Sequence, residues 1–112
     1  MTLTIQNVEE AKETIKKNNI VLFMKGTKDM PGCGFSAQVI QILNKMNVDY
    51  VDIDVLNDEN FKENMKKFTN WPTFPQLYVK GEFVGGCDIV KEMFETGELL
   101  ELFNTKGLDV KT

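Results

Sequence analysis

Hydrophobic positions recur along the chain with two different periods, and polar residues between them mark where one segment ends and the next begins. Asn7, with Glu10 following it one turn later, reads as a helix start, and Val8, Ala11 and Ile15 then share one face until Asn18-Asn19 stops the pattern. Ile20-Val21-Leu22-Phe23-Met24 is short, apolar throughout and rich in strand formers, as a parallel strand covered on both faces should be. A polar stretch punctuated by Gly26, Pro31 and Gly32 leads into Cys33, after which Phe35, Val39, Ile42, Leu43 and Met46 repeat at helical spacing. Val51, Ile53 and Val55 alternate with Asp52 and Asp54 as a second strand. Phe61, Met65 and Phe68 mark a third helix, broken by Asn70-Trp71-Pro72-Thr73-Phe74-Pro75, where two close prolines forbid helix. Gln76 to Val79 and Glu82 to Gly85 flank Lys80-Gly81 at the spacing of a tight antiparallel hairpin. Ile89, Val90, Met93 and Phe94 give a further helix its inner face, Gly97 stops it, and a short helical tail follows around Leu99 to Phe103.

A strand, a crossover helix and a strand form a right-handed βαβ unit with parallel strands, to which the hairpin adds antiparallel ones. The expected class is α/β: a four-stranded mixed sheet flanked by about five helices, a thioredoxin-like architecture. No repeat, linker or low-complexity tract divides the chain. A length of 112 residues with 42% hydrophobic content suffices for one modest core, so a single domain over residues 1–112 is expected.

Composition then removes function classes. The 13 basic residues are all lysine and the net charge is −4, so no arginine fork exists for phosphates or bases, and nucleic acid is not expected as a partner. With no histidine there is no imidazole ligand and no triad of the usual kind. No transmembrane segment or secretory signal is read, so no membrane partner is expected. The expected location is cytoplasmic, or an organelle matrix if a targeting segment has been removed. Two cysteines far apart make neither a disulfide framework nor a zinc site, which fits a reducing compartment.

Cys33 sits at a strand-loop-helix corner, where helix N–H groups and the charge of Lys25 or Lys28 stabilise a thiolate. Gly32 and Gly34 beside it favour close approach of a ligand; an inert buried thiol is the alternative. Ser36 occupies the place of the second cysteine of a Cys-x-x-Cys pair, so no resolving thiol lies next to Cys33, although an ordinary first-turn serine would look the same. Trp71-Pro72-Thr73-Phe74-Pro75 suits a cis peptide before Pro75, which would leave the Phe74 backbone free to pair with an extended peptide; a loop with trans prolines is the other possibility. Gly85-Gly86-Cys87-Asp88 reads as a helix start with exposed N–H groups and a carboxylate able to receive an ammonium, or simply as a glycine turn with an aspartate cap.

Met24-Lys25-Gly26, Pro31-Gly32-Cys33-Gly34-Phe35-Ser36, Trp71-Pro72-Thr73-Phe74-Pro75-Gln76 and Gly85-Gly86-Cys87-Asp88-Ile89 together resemble the CGFS-type monothiol glutaredoxins over nearly the whole chain. The resemblance implies a single glutaredoxin domain with Lys25, Lys62, Phe74, Cys87 and Asp88 as glutathione contacts. It implies Cys33 as both the reactive thiol and the iron ligand of a [2Fe-2S] cluster. Many members carry arginine where Lys62 stands, and lysine loses the bidentate grip on a carboxylate. A [2Fe-2S] cluster takes four thiolates, so two chains with one Cys33 each need two glutathione thiols. This implies a cluster-bound homodimer, a monomeric apo form, and transfer of the cluster to apo iron-sulfur recipients, with BolA-like proteins as partners. Cys33 and Cys87 from two chains would also make four thiolates. The competing functions are a glutathione-dependent oxidoreductase that removes glutathione from proteins, and a passive binding module.

Overall fold

The computed structural model describes residues 2–3, 7–108 and 110. Its elements run β1 (Thr2–Leu3), α1 (Val8–Lys17), β2 (Ile20–Met24), α2 (Gly34–Lys45), β3 (Val51–Asp54), α3 (Glu59–Thr69), β4 (Gln76–Val79), β5 (Glu82–Gly85), α4 (Cys87–Thr96) and α5 (Glu98–Thr105). The four expected strands are present in a mixed sheet flanked by five helices. The two-residue β1, too short to leave a pattern in the sequence, adds a parallel edge, giving the order β1-β3-β2-β4-β5. β1 and β2 run parallel to β3, while β4 runs antiparallel to both β2 and β5. No helix among the described residues is long and apolar enough to cross a membrane.

Helix boundaries follow local chemistry. The Asn7 side chain accepts the Glu10 N–H at 2.9 Å and donates to the Glu10 carboxylate at 2.7 Å, a reciprocal cap that starts α1. Asp58 caps α3 through the Phe61 N–H at 3.1 Å. Lys80 and Gly81 both take positive φ, 51° and 83°, as the tight hairpin turn between β4 and β5 demands.

All five residues of β2 are buried, and their alternation feeds two cores. Ile20, Leu22 and Met24 join Val39, Leu43, Val90 and Phe103 of α2, α4 and α5 on one face. Val21 and Phe23 join Ala11, Ile15, Phe61 and Met65 of α1 and α3 on the other.

Three positions depart from the periodicity. Phe35 is 60% exposed, because it lies in the first turn of α2 and overhangs a cleft instead of the core. Phe68 is 40% exposed at the end of α3 and lies under the Lys12 ammonium, 5.2 Å from its ring centre. Asp52 alternates with apolar residues yet is fully buried, since both faces of the sheet are covered; its Oδ2 accepts the backbone N–H of Lys28 at 2.8 Å.

Phe61 and Phe68 therefore separate cleanly in stability. Phe61→Ala should cost about 3–5 kcal/mol, since Phe61 is 1% exposed, and Phe68→Ala about 1 kcal/mol or less, both read from urea unfolding.

Candidate functional site

The chain leaves β2 at Met24 and folds residues 25–32 into a small closed loop. The Gly32 N–H donates to the Lys25 carbonyl at 2.7 Å, and Thr27 and Met30 exchange backbone bonds at 3.1 Å. Gly26 takes φ +88°, and a Cβ there would stand 2.5 Å from the Gly32 nitrogen and the Met30 oxygen, so no other residue fits.

The loop delivers Cys33 as the N-cap of α2, in extended conformation. Its Sγ accepts the Ser36 N–H at 3.4 Å and lies 3.4 Å from the Ser36 hydroxyl oxygen. Ser36 is fully buried, and its Oγ also accepts the Lys25 N–H at 3.2 Å, tying the end of β2 to the start of α2. Burial pushes the Cys33 thiol up. The Ser36 hydroxyl, the Ser36 and Phe35 N–H groups and the Lys25 charge together outweigh it and hold the thiol below its ordinary value. Cys33 itself is partly exposed, and beside it a Cβ added at Gly34 would meet nothing within 4 Å.

A cleft of about 340 Å³ lies next to this corner, and it brings together Lys25, Phe74, Cys87 and Asp88 from three separate parts of the chain. Phe35 and Trp71 add aromatic walls. The Phe74-Pro75 bond is cis. Among the described residues, neither the N–H nor the C=O of Phe74 takes part in a hydrogen bond. Cys87 opens α4 and is buried, and its thiol donates to Gln38 Oε1 at 3.5 Å. Burial raises its pKa, with the charges of Asp88 and Cys33 adding to the rise and Lys91 opposing it. Asp88 is exposed in the first turn of α4.

Two lysines named from the sequence stand outside the cleft lining. Lys62 does not line the cleft; on α3 its ammonium pairs with Glu59 at 3.4 Å. Lys28 also turns away, toward the Tyr50 carbonyl at 3.2 Å, the Tyr50 ring at 4.6 Å and Asp52 Oδ1 at 4.0 Å, which leaves Lys25 as the cation that acts on Cys33.

Other residues matter that periodicity did not single out. Gln76 is fully buried, and its Nε2 donates to the carbonyls of Trp71 at 3.2 Å and Thr73 at 3.0 Å, bracing the loop that carries Phe74. An amide inside an otherwise apolar strand was the available signal. Trp71 packs edge-on against Phe83 at 5.6 Å and so stiffens the same wall.

An ionisable, partly exposed thiol at a helix start, an adjacent cleft with a free backbone edge, and no second cysteine in the first helical turn define a single-thiol protein of thioredoxin-like fold. The glutaredoxin family model matches residues 20–84. A probable monothiol glutaredoxin 2 from Rickettsia typhi is 60% identical over 95% of this chain and 96% of its own. Among solved structures, a monomeric truncated mutant of 1-C-Grx1 from Trypanosoma brucei superposes with TM-score 0.87 at 35% identity, covering 96% of this chain and 98% of that one. Reduced poplar apo GrxS14 gives 0.78 at 44% identity, covering 88% and 90%. The chain belongs to the glutaredoxin family, in its monothiol class, a family that uses glutathione.

Since the folded Cys33 ionises below the ordinary thiol value, its thiolate persists to lower pH than that of a free cysteine. Ser36→Ala removes one of the hydrogen bonds responsible. Alkylation of Cys33 by iodoacetamide, followed against pH, should shift its midpoint upward and slow several-fold at neutral pH.

Proposed function

We propose that this protein carries a [2Fe-2S] cluster as cargo, each of two copies supplying the Cys33 thiolate and one bound glutathione supplying a second, and hands the cluster to apo iron-sulfur recipients. The observation that carries the reading is a single cysteine at the start of α2, Cys33, its pKa held below the ordinary thiol value, beside a cleft walled by Lys25, Phe74, Cys87 and Asp88.

The donor set supports it. Among the described residues no three ligating side chains lie together, so one chain offers a cluster a single thiolate at Cys33 and the rest must come from other molecules. Cys87 is a poor alternative: it is buried, its pKa is raised, and its thiol is engaged by Gln38. That counts against a set made of Cys33 and Cys87 from two chains. The cleft suits glutathione, with Lys25 for a carboxylate, Asp88 for the ammonium, and the unengaged Phe74 N–H and C=O for its backbone. Lys62 would join only by leaving Glu59. The apo form is then a monomer and the loaded form a homodimer, with BolA-like proteins as further partners. The role calls for a reducing compartment rich in glutathione, as the cytoplasm is.

The same thiolate favours a second reading, in which Cys33 attacks a glutathionylated protein and a second glutathione resolves the mixed disulfide. A turnover assay on such a substrate that matched a dithiol enzyme would reverse the order of the two.

Anaerobic reconstitution with iron, sulfide and glutathione, read by visible absorption, solution mass and glutathione content, decides the matter. The wild-type chain and Cys87→Ser should give a coloured dimer retaining two glutathiones, and Cys33→Ser a colourless monomer. A colourless wild-type monomer, or a cluster that forms without glutathione, overturns the proposal.

A further inference from the structure

Residues 25–32 are closed by their own hydrogen bonds, but those bonds do not fix how the loop is tilted against the sheet. That orientation is set from β3. Asp54 Oδ1 accepts the Gly26 N–H at 3.0 Å and the Leu56 N–H at 2.8 Å. Asp52 Oδ2, fully buried, accepts the Lys28 N–H at 2.8 Å, while the Lys28 ammonium reaches Tyr50 and Asp52 from the other side. Two carboxylates from one strand thus grip alternate N–H groups of a loop some two dozen residues away in sequence, and charge-assisted bonds to backbone N–H are among the stronger, more directional ones.

The loop behaves as one stiff piece with a functional group at each end: Lys25, which lines the cleft, and Cys33, which caps α2. The Gly32 to Lys25 bond at 2.7 Å couples those ends, so a change of tilt moves both together. Misplacement by about 1 Å is enough to cost a reacting group two orders of magnitude.

We infer that Asp54 and Asp52 are positioning residues, which hold the 25–32 loop so that Lys25 lines the cleft while Cys33 is presented at the start of α2 beside it. The inference concerns Cys33 as a thiol and stands whether or not a cluster is carried; only its glutathione readout rests on the reading of the cleft given above.

The test compares Asp54→Ala with Asp54→Asn, which keeps the acceptor oxygen, and with Lys28→Met, which loosens the loop from its partly exposed side. The first readout is the pH profile of Cys33 alkylation. The second is the yield of the mixed disulfide when Cys33 thiolate displaces reduced glutathione from oxidised glutathione, weighed by intact mass in a fixed glutathione buffer. Urea midpoints report folding in parallel. In Asp54→Ala the alkylation midpoint should move up toward the ordinary thiol value and the yield should fall about tenfold, the scale of one lost charge-assisted bond. Asp54→Asn should recover most of both. Lys28→Met should move both in the same direction, its urea transition showing that the variant is folded. A folded Asp54→Ala protein with the wild-type profile and yield overturns the inference, and so do equal defects in the Ala and Asn variants. If Asp54→Ala does not fold, an unchanged profile and yield in Lys28→Met overturns it. A wild-type protein that forms no mixed disulfide sinks the glutathione reading instead, and leaves the alkylation comparison to decide the positioning role.

Discussion

Burial of the whole of β2 is the constraint on which the reactive end of the molecule depends. A strand with no exposed face must lie inside the sheet, hydrogen-bonded on both edges and covered by helices on both sides. Its alternate residues feed two different cores, so a slip of one position would exchange Ile20, Leu22 and Met24 with Val21 and Phe23 and disrupt both. The end of the strand at Met24 is thereby fixed, and with it the point from which the chain must turn to begin α2. Cys33 is placed by that turn at the carboxyl end of the parallel strands, where open α/β sheets gather their ligands.

Two cysteines with the same intrinsic chemistry are driven apart by this scaffold. Cys33 caps a helix, accepts bonds that favour its charged form and feels Lys25; Cys87 lies buried beside Asp88 and donates to Gln38, which favours its neutral form. The buried hydroxyl of Ser36 ties the two sides of the corner together, since it accepts from Lys25 at the end of β2 while contacting the Cys33 sulfur. In place of a resolving thiol the protein has a group that stabilises the thiolate without reacting with it.

Much of this was legible in the residues, and what was not has physical reasons. Helices α1 to α4, the hairpin and the buried β2 announce themselves through period, caps and turn chemistry, and the cleft's Lys25, Phe74, Cys87 and Asp88 through motifs whose order survives folding. Periodicity assigns a side chain to a face without saying whether anything lies opposite. Phe35 and Phe68 kept the helical spacing but had no neighbour to cover them, while Asp52 kept the polar phase of a strand and had one. β1 is created by its partner β3 and has no pattern of its own. Lys62 stood at a matching position, yet its place outside the cleft lining and its pairing with Glu59 depend on the fold.

That placement of Lys62 bears on how the cleft grips a ligand. Its partner Glu59 has a side chain 73% exposed, so the pair is worth about 1 kcal/mol or less and Lys62 can leave it at small cost. What it would bring is a point charge without a fork, a weak clamp on a carboxylate. On the proposed reading, orientation in the cleft then falls to the backbone edge of Phe74, in the loop that Gln76 braces from inside the sheet, and to the groups at the start of α4. On the proposed reading, glutathione is aligned firmly by geometry and held loosely by charge. A ligand held that way presents its thiol accurately and still exchanges, and a carrier that must release its cargo to a recipient needs both properties.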